Sequence, residues 1–302
     1  MSRDPSPREL DDALSNLSDL RLVESREREP DKRTASSRAP GRAPERFSRD
    51  RLGETWFEGG RALVSRQGST YRLSESEIRT IIELGKFRVI SSHDLARHGY
   101  DGKRERADRD LQHLIRQRLV RSGVFEGPEA SPLELFTLTT TGRELLQTNG
   151  LVSRGQTVYA GFARPRDANH DANLYRLYQR EAPRIEEQGG RNLRVILDHE
   201  LREKICRDIA RLGAEARREV AAWHGLRVVE NKIPMPDLRI EYETREGDLA
   251  HLDLELVTEH YRGRNAADKA RAGFSLYTPH GQASRLRRVL GARGMRPDIL
   301  SL

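Results

Sequence analysis

Between Pro236 and Tyr277 the chain reads PDLRIEYETREGDLAHLDLELVTEHYRGRNAADKARAGFSLY. The alternation in this segment leaves little freedom in how it folds. Successive side chains of a strand point to opposite faces. Leu238, Ile240 and Tyr242 share one parity, and so do Leu252, Leu254 and Leu256. A turn centred on Glu246-Gly247 makes paired residue numbers sum to about 493, which puts both apolar sets on one face of a hairpin. Asp237 then faces Leu256 and its neighbour Glu255, and both acids project to the other face with Arg239 and Asp253. A helix carrying Lys269 follows, with Asn265 expected as its cap and Lys269 in its first turn.

Two carboxylates and a lysine so placed have a chemical use. Hard oxygen donors suit Mg²⁺, which binds through one or two carboxylates and keeps several waters. Asp237 and Glu255 are therefore the expected metal ligands, with Lys269 the group that stabilises developing charge or orients the attacking water. A plainer reading competes. HLDLELV is also the pattern of a half-exposed strand with acids on its wet side, Pro-Asp is a common turn dipeptide, and a helical lysine is usually solvated.

The rest of the sequence supplies context. Of 302 residues, 54 are Lys or Arg and 47 Asp or Glu, a net charge of +7 that favours a polyanionic partner. The length suggests about two domains. One cysteine, Cys206, allows no internal disulfide. No apolar run reaches the roughly 20 residues of a membrane helix, and MSRDPSPREL lacks a signal-peptide core. A cytoplasmic protein with no membrane partner is expected. Residues 1–68 read as a disordered basic tail, apart from Leu10, Leu14, Leu17 and Leu20 at helical spacing.

Residues 69–150 read as a domain of three helices and a hairpin. Ser74 caps the first helix, Ser91 or Ser92 opens the second, and the third runs from Lys103 to Leu119. Val120–Phe125 and Leu133–Leu138 form the hairpin, and LTTTGRELL closes the unit. That order is the winged form of helix-turn-helix, whose third helix enters the major groove. Lys103, Arg104, Arg106, Arg109, Gln112, His113 and Arg116 are the expected DNA contacts, although Glu105, Asp108 and Asp110 dilute the charge. Residues 151–190 read as a helical connector over Ala168–Glu187. After it come a strand at Leu193–Leu197, a long helix capped by Asp198 that reaches toward Trp223, and a strand at Leu226–Val229.

The order of LTTTG (138–142), PDLRI (236–240), LDLELVT (252–258) and the Lys269-to-Tyr277 spacing resembles the plasmid replication-relaxation family. The resemblance covers about residues 70–280. It implies an α+β protein, a winged helix-turn-helix followed at 191–302 by a PD-(D/E)xK restriction-endonuclease-like domain with a mixed sheet. It also implies a metal site at Asp237 and Glu255, to which Glu200 or Glu203 could add a carboxylate. The sequence departs from the pattern where Glu255-Leu256-Val257 replaces Glu-x-Lys, so the lysine has moved to Lys269. RPDILSL is the candidate closing strand.

Three functions compete. One is a replication or mobilisation protein of a plasmid or integrated element, acting on double-stranded DNA and nicking it with Mg²⁺. Another is a non-enzymatic regulator with a degenerate nuclease-like domain, in which that domain would serve a homodimer or effector contact. The third is a restriction- or repair-type nuclease. A tyrosine relaxase ranks below these, because His251, His260 and His280 are scattered.

Overall fold

The computed structural model describes residues 57–58, 61–126, 132–162, 168–258, 263–278, 283–292 and 299–301. The helical spacing of Leu10 to Leu20 and the loop at the hairpin tip lie outside these residues.

The folded chain starts earlier than the tail assignment allows. β1 (Phe57–Glu58), β2 (Arg61–Arg66) and β3 (Ser69–Ser74) form an antiparallel sheet in that order. Ala62, Val64 and Leu73 alternate into the core. Gln67 and Gly68, both at positive φ, make the two-residue turn. The boundary expected at residue 68 therefore moves back to Arg61 or before.

α1 (Glu75–Phe87) opens with a capping box between Ser74 and Glu77. β4 (Ile90–Ser91) leads to α2 (Ser92–Gly99), which is capped by Ser91. α3 (Arg104–Arg116) buries Ala107, Leu111 and Leu114. β5 (Val120–Glu126) and β6 (Pro132–Leu138) form the hairpin, and β4 adds to it in the order β4-β6-β5. Thr139 caps α4 (Thr140–Thr148). Gly142 serves a close approach here, since a Cβ would lie 2.3 Å from the Leu119 carbonyl oxygen.

The C-terminal half is a five-stranded mixed sheet in the order β11-β10-β9-β8-β7. β7 (Arg191–Leu197), β8 (Leu238–Glu243) and β9 (Leu249–Leu256) are antiparallel. β10 (Ser275–Thr278) and β11 (Ile299–Ser301) run parallel to β9, so RPDILSL does supply a strand. The crossovers are α8 (Gly263–Ala272) and α9 (Ala283–Gly291). Between β7 and β8 lie α6 (Asp198–Leu212) and α7 (Arg217–Trp223). Gly213 at φ +97 interrupts them, so the expected single helix is two. Asp198 is the first residue of α6 rather than its cap. Leu226–Val229 is not a strand, and only a bridge from Val229 to Lys232 forms there.

α5 (Ala168–Glu187) was expected as a connector, but it is a core element. One apolar cluster runs from Leu73, Ile81 and Leu114 through Tyr175 and Leu177 of α5 to Val195, Leu238, Leu254 and Tyr277. The two halves thus share a core. The other face of the sheet packs Ile196 and Leu276 against α6, α7, α8 and α9 through a second cluster.

Candidate functional site

The β8–β9 register pairs Leu238 with Leu254 and Arg239 with Asp253. Continuing it one step places Asp237 directly across from Glu255, one residue from the expected partner Leu256. The parity argument stands: Leu238, Ile240, Leu254 and Leu256 lie in the cluster facing α5, and Arg239, Asp253 and Glu255 face the other way.

That other face is not wet. Arg239 is 3% exposed, Asp253 8% and Glu255 1%. Acids on a solvated strand do not explain such burial, since charged groups go inside only when paired. Arg239 grips Asp253 with both ends of its fork, Nε to Oδ1 at 2.6 Å and Nη2 to Oδ2 at 2.8 Å. Its Nη1 donates to the His224 carbonyl.

One step further along the strands, Lys269 Nζ donates to Glu255 Oε1 at 2.7 Å and to the Met235 carbonyl. The Asp237 amide donates to Glu255 Oε2 at 3.2 Å, and Asp237 Oδ2 accepts from the Leu256 amide at 2.8 Å. Glu255 at the end of β9 therefore meets the Lys269 side chain from α8 and the backbone amide of Asp237 from the approach to β8. Lys269 reaches Glu255 from the last turn of α8, not the first, because the helix begins at Gly263 and Asn265 lies inside it.

Sequence reasoning missed His170 in the first turn of α5. Its Nε2 lies 3.2 Å from Asp237 Oδ2 and its Nδ1 3.6 Å from Asp171 Oδ1. Burial opposes its charge, but the hydrogen bonds to Asp171 and Asp237 outweigh burial and push its pKa up to about 10. No spacing signal links residue 170 to 237, and only the packing of α5 along the sheet brings them together. The folded-state value lies above the ordinary 6.5. The imidazolium therefore contributes its full stability below about pH 6.5 and loses it as pH rises toward about 10. His170→Asn is expected to melt below the wild type at pH 6, with the difference shrinking through pH 8 and closing near pH 10. A difference that stays constant with pH would reject a charged His170.

Glu200 and Glu203 do not join this site. Glu200 is taken up by Tyr159 at 2.8 Å, Arg194 at 3.1 Å and Lys204 at 2.7 Å, and it keeps a depressed pKa against the opposing effect of burial. Glu203 pairs with Arg207 on the surface.

Asp237 and Glu255 offer oxygen donors, the class a hard cation takes, but both Glu255 oxygens and Asp237 Oδ2 are already engaged. Among the described residues no group of three or more His, Cys, Asp or Glu could hold a metal ion.

On α3, Lys103, Arg104, Arg106, Arg109, Gln112 and Arg116 are all exposed. At 100° per residue, Arg109, Gln112 and Arg116 form one outward stripe with Glu105. Arg104 leans on Asp108 at 3.8 Å. Arg106 approaches Ser76 at 3.5 Å. His113 departs from the expected set. Its Nδ1 is hydrogen-bonded to the fully buried Glu77, and the Gln117 amide packs on its ring nitrogens. It ties α3 to α1 instead of facing outward.

No protein-family model, no curated protein and no solved structure matches the chain. No helix among the described residues is long and apolar enough to cross a membrane.

Proposed function

We propose that this chain is a DNA-binding replication or mobilisation protein of a plasmid or integrated element, and that Asp237, Glu255 and Lys269 form a metal-dependent DNA-nicking site. The observation that carries the reading is that the buried Glu255 carboxylate takes both Lys269 Nζ and the Asp237 backbone amide, while the Asp237 carboxylate sits on the adjoining Leu256 amide. His170, whose pKa is raised, touches Asp237, and perturbed ionisable groups cluster at functional sites more often than elsewhere. Further support comes from the element order. Three helices and a hairpin follow the order expected of a winged helix-turn-helix, and a helix, three antiparallel strands with α6 and α7 between the first two, a crossover helix and a parallel strand follow the order expected of a restriction-endonuclease-like core.

In this reading the outward stripe of α3 holds duplex DNA, with Arg109, Gln112 and Arg116 in the groove and Lys103, Arg104 and Arg106 on phosphates. Asp237 and Glu255 would hold the cation, which when bound would supply Lewis-acid polarisation of the phosphate and a more acidic water. For this to happen Lys269 moves from Glu255 toward the phosphate, where its ammonium offsets the charge that builds on the oxygens. His170 releases or retains Asp237 Oδ2.

A second reading has its own observation. Both carboxylates are already countered, Glu255 by Lys269 and Asp237 by His170. A silent site of this kind suits a regulator that only binds DNA. Supercoiled plasmid separates the two readings. Nicking that appears with Mg²⁺ or Mn²⁺ and stops with chelator supports the nickase. Salt-sensitive duplex binding with no nicking under any metal supports the regulator.

A further inference from the structure

β2 and β3 pair Leu63 with Arg72 and Ser65 with Thr70, while the alternate positions Ala62, Val64 and Leu73 fill the core. The outward face of this hairpin is therefore Arg61, Leu63 and Ser65 on β2 with Thr70 and Arg72 on β3. Arg61 is half-buried, and the other four are exposed. The face offers two guanidinium groups and two hydroxyls, and the β2–β3 ladder places no acid on it. Arg61 is shared with Glu77 and pairs in the ladder with Glu58 of β1. Arg72 gives up only its carbonyl, to Arg61 Nη1 at 3.2 Å, and its guanidinium has no partner among the described residues.

The hairpin flanks α3. Glu77 Oε2 accepts from the Ser74 amide at the end of β3 at 2.7 Å and lies 3.9 Å from Arg61 Nη1, while its Oε1 is bonded to His113 of α3. Ser76 donates to Asp110 of α3 at 2.6 Å. His113 lies about 70° round α3 from the stripe of Arg109, Gln112 and Arg116. One carboxylate thus separates the β2 guanidinium from the side of α3. A helix about 10–12 Å across fills a major groove about 12 Å wide. An element on the flank of such a helix meets the sugar-phosphate strand that borders the groove, and arginine forks and hydroxyls are donors for phosphate oxygens.

We propose that the outward face of the β2–β3 hairpin binds the DNA backbone beside the groove that holds α3, with Arg72 as its main phosphate contact, an inference that rests on the DNA-binding reading of α3. Such a contact reads no sequence. It fixes how the domain sits on the duplex and adds affinity that salt removes. The hairpin precedes α1, so it is separate from the β5–β6 hairpin that follows α3 in the place of a wing.

The full-length protein is titrated with two labelled duplexes of unrelated sequence over a range of salt, as wild type, Arg72→Ala, Arg72→Lys, Arg109→Ala and Arg227→Ala. The last removes an exposed arginine of the C-terminal half. Arg72→Ala is expected to make the slope of log K against log salt shallower by about 0.9, which near about 0.15 M salt is about fivefold in affinity. The loss should be equal on both duplexes. Arg72→Lys should keep the slope, because the charge remains, and Arg227→Ala should leave it unchanged. Arg72→Ala should melt with the wild type, since it removes an exposed, unpaired side chain. A weakened Arg109→Ala beside an Arg72→Ala of wild-type slope overturns the hairpin contact and leaves the α3 reading standing. An equal slope change in Arg227→Ala also overturns it, because net charge alone would account for the effect. So does an Arg72→Ala that changes the oligomeric state and not the slope, which would give this face to a second copy of the chain. A wild type with no salt-dependent duplex binding overturns both.

Discussion

Arg239→Ala is expected to cost about 3–5 kcal/mol of stability, the usual penalty for removing one partner of a buried ion pair. The carboxylate left behind, Asp253, is 8% exposed and would lose both hydrogen bonds of the guanidinium fork. The His224 carbonyl would lose its donor as well. Arg239→Lys should fall between, since one ammonium cannot reproduce a two-pronged grip. The double replacement Arg239→Leu with Asp253→Leu should recover most of the loss, because the penalty belongs to the unpaired charge and not to the missing attraction. Urea unfolding of the four proteins decides it. A single-variant cost below about 1 kcal/mol would mean that Asp253 finds water or another cation. The pair also borders the proposed site. It lies next along the strands from Asp237 and Glu255, and through His224 it pins the start of the segment whose Met235 carbonyl holds Lys269.

The hairpin shows how far the sequence could be read. Parity alone sorted Leu238, Ile240, Leu254 and Leu256 from Arg239, Asp253 and Glu255, because side-chain alternation needs no knowledge of the turn. Register did need it. The connection is a three-residue loop centred on Glu246, closed by the Thr244 amide on the Asp248 carbonyl at 2.8 Å, with Gly247 at φ +92. A two-residue turn assumed at Glu246-Gly247 shifts every pairing by one. β2 and β3 were legible in principle. Ala62 and Val64, then Tyr71 and Leu73, alternate around Gln67-Gly68, but the polar composition around them hid the pattern. The depth of the acids was not legible. Whether HLDLELV lies wet or dry depends on α6 to α9 covering it, and no local pattern encodes that. His170 and the shared core through α5 were invisible for the same reason, since both depend on how a helix lies on two neighbours at once. His113 misled because helical exposure was judged by charge, and its bond to Glu77 across α1 is a tertiary contact.

Lys269→Met and Glu255→Gln offer the sharpest separation of architecture from chemistry. Lys269 keeps 18% of its side chain exposed and Glu255 1%, so the two losses are unequal. Lys269→Met strands a buried carboxylate and should cost about 3 kcal/mol. Glu255→Gln leaves a lysine that can turn toward solvent and should cost about 1 kcal/mol. Combining them removes both charges, so the double variant should be more stable than Lys269→Met. Nicking should follow another pattern. Each single variant is expected to lose about 10²–10³-fold in kcat, as when one preorganised charge-stabilising group is removed. The double variant should lose little more than the worse single, because residues that act as one unit are not additive. Duplex affinity should hold in all three, since in the proposed reading the α3 stripe, not the sheet end, holds the duplex. Stability that recovers in the double variant while nicking does not would mean that the pair has a chemical role beyond holding β9 to α8. Nicking that returns together with stability would make Lys269–Glu255 a structural bridge and move the chemistry elsewhere. Affinity that falls in step with nicking would make this face part of the DNA-binding surface, because a purely catalytic set changes turnover without changing how tightly the duplex is held.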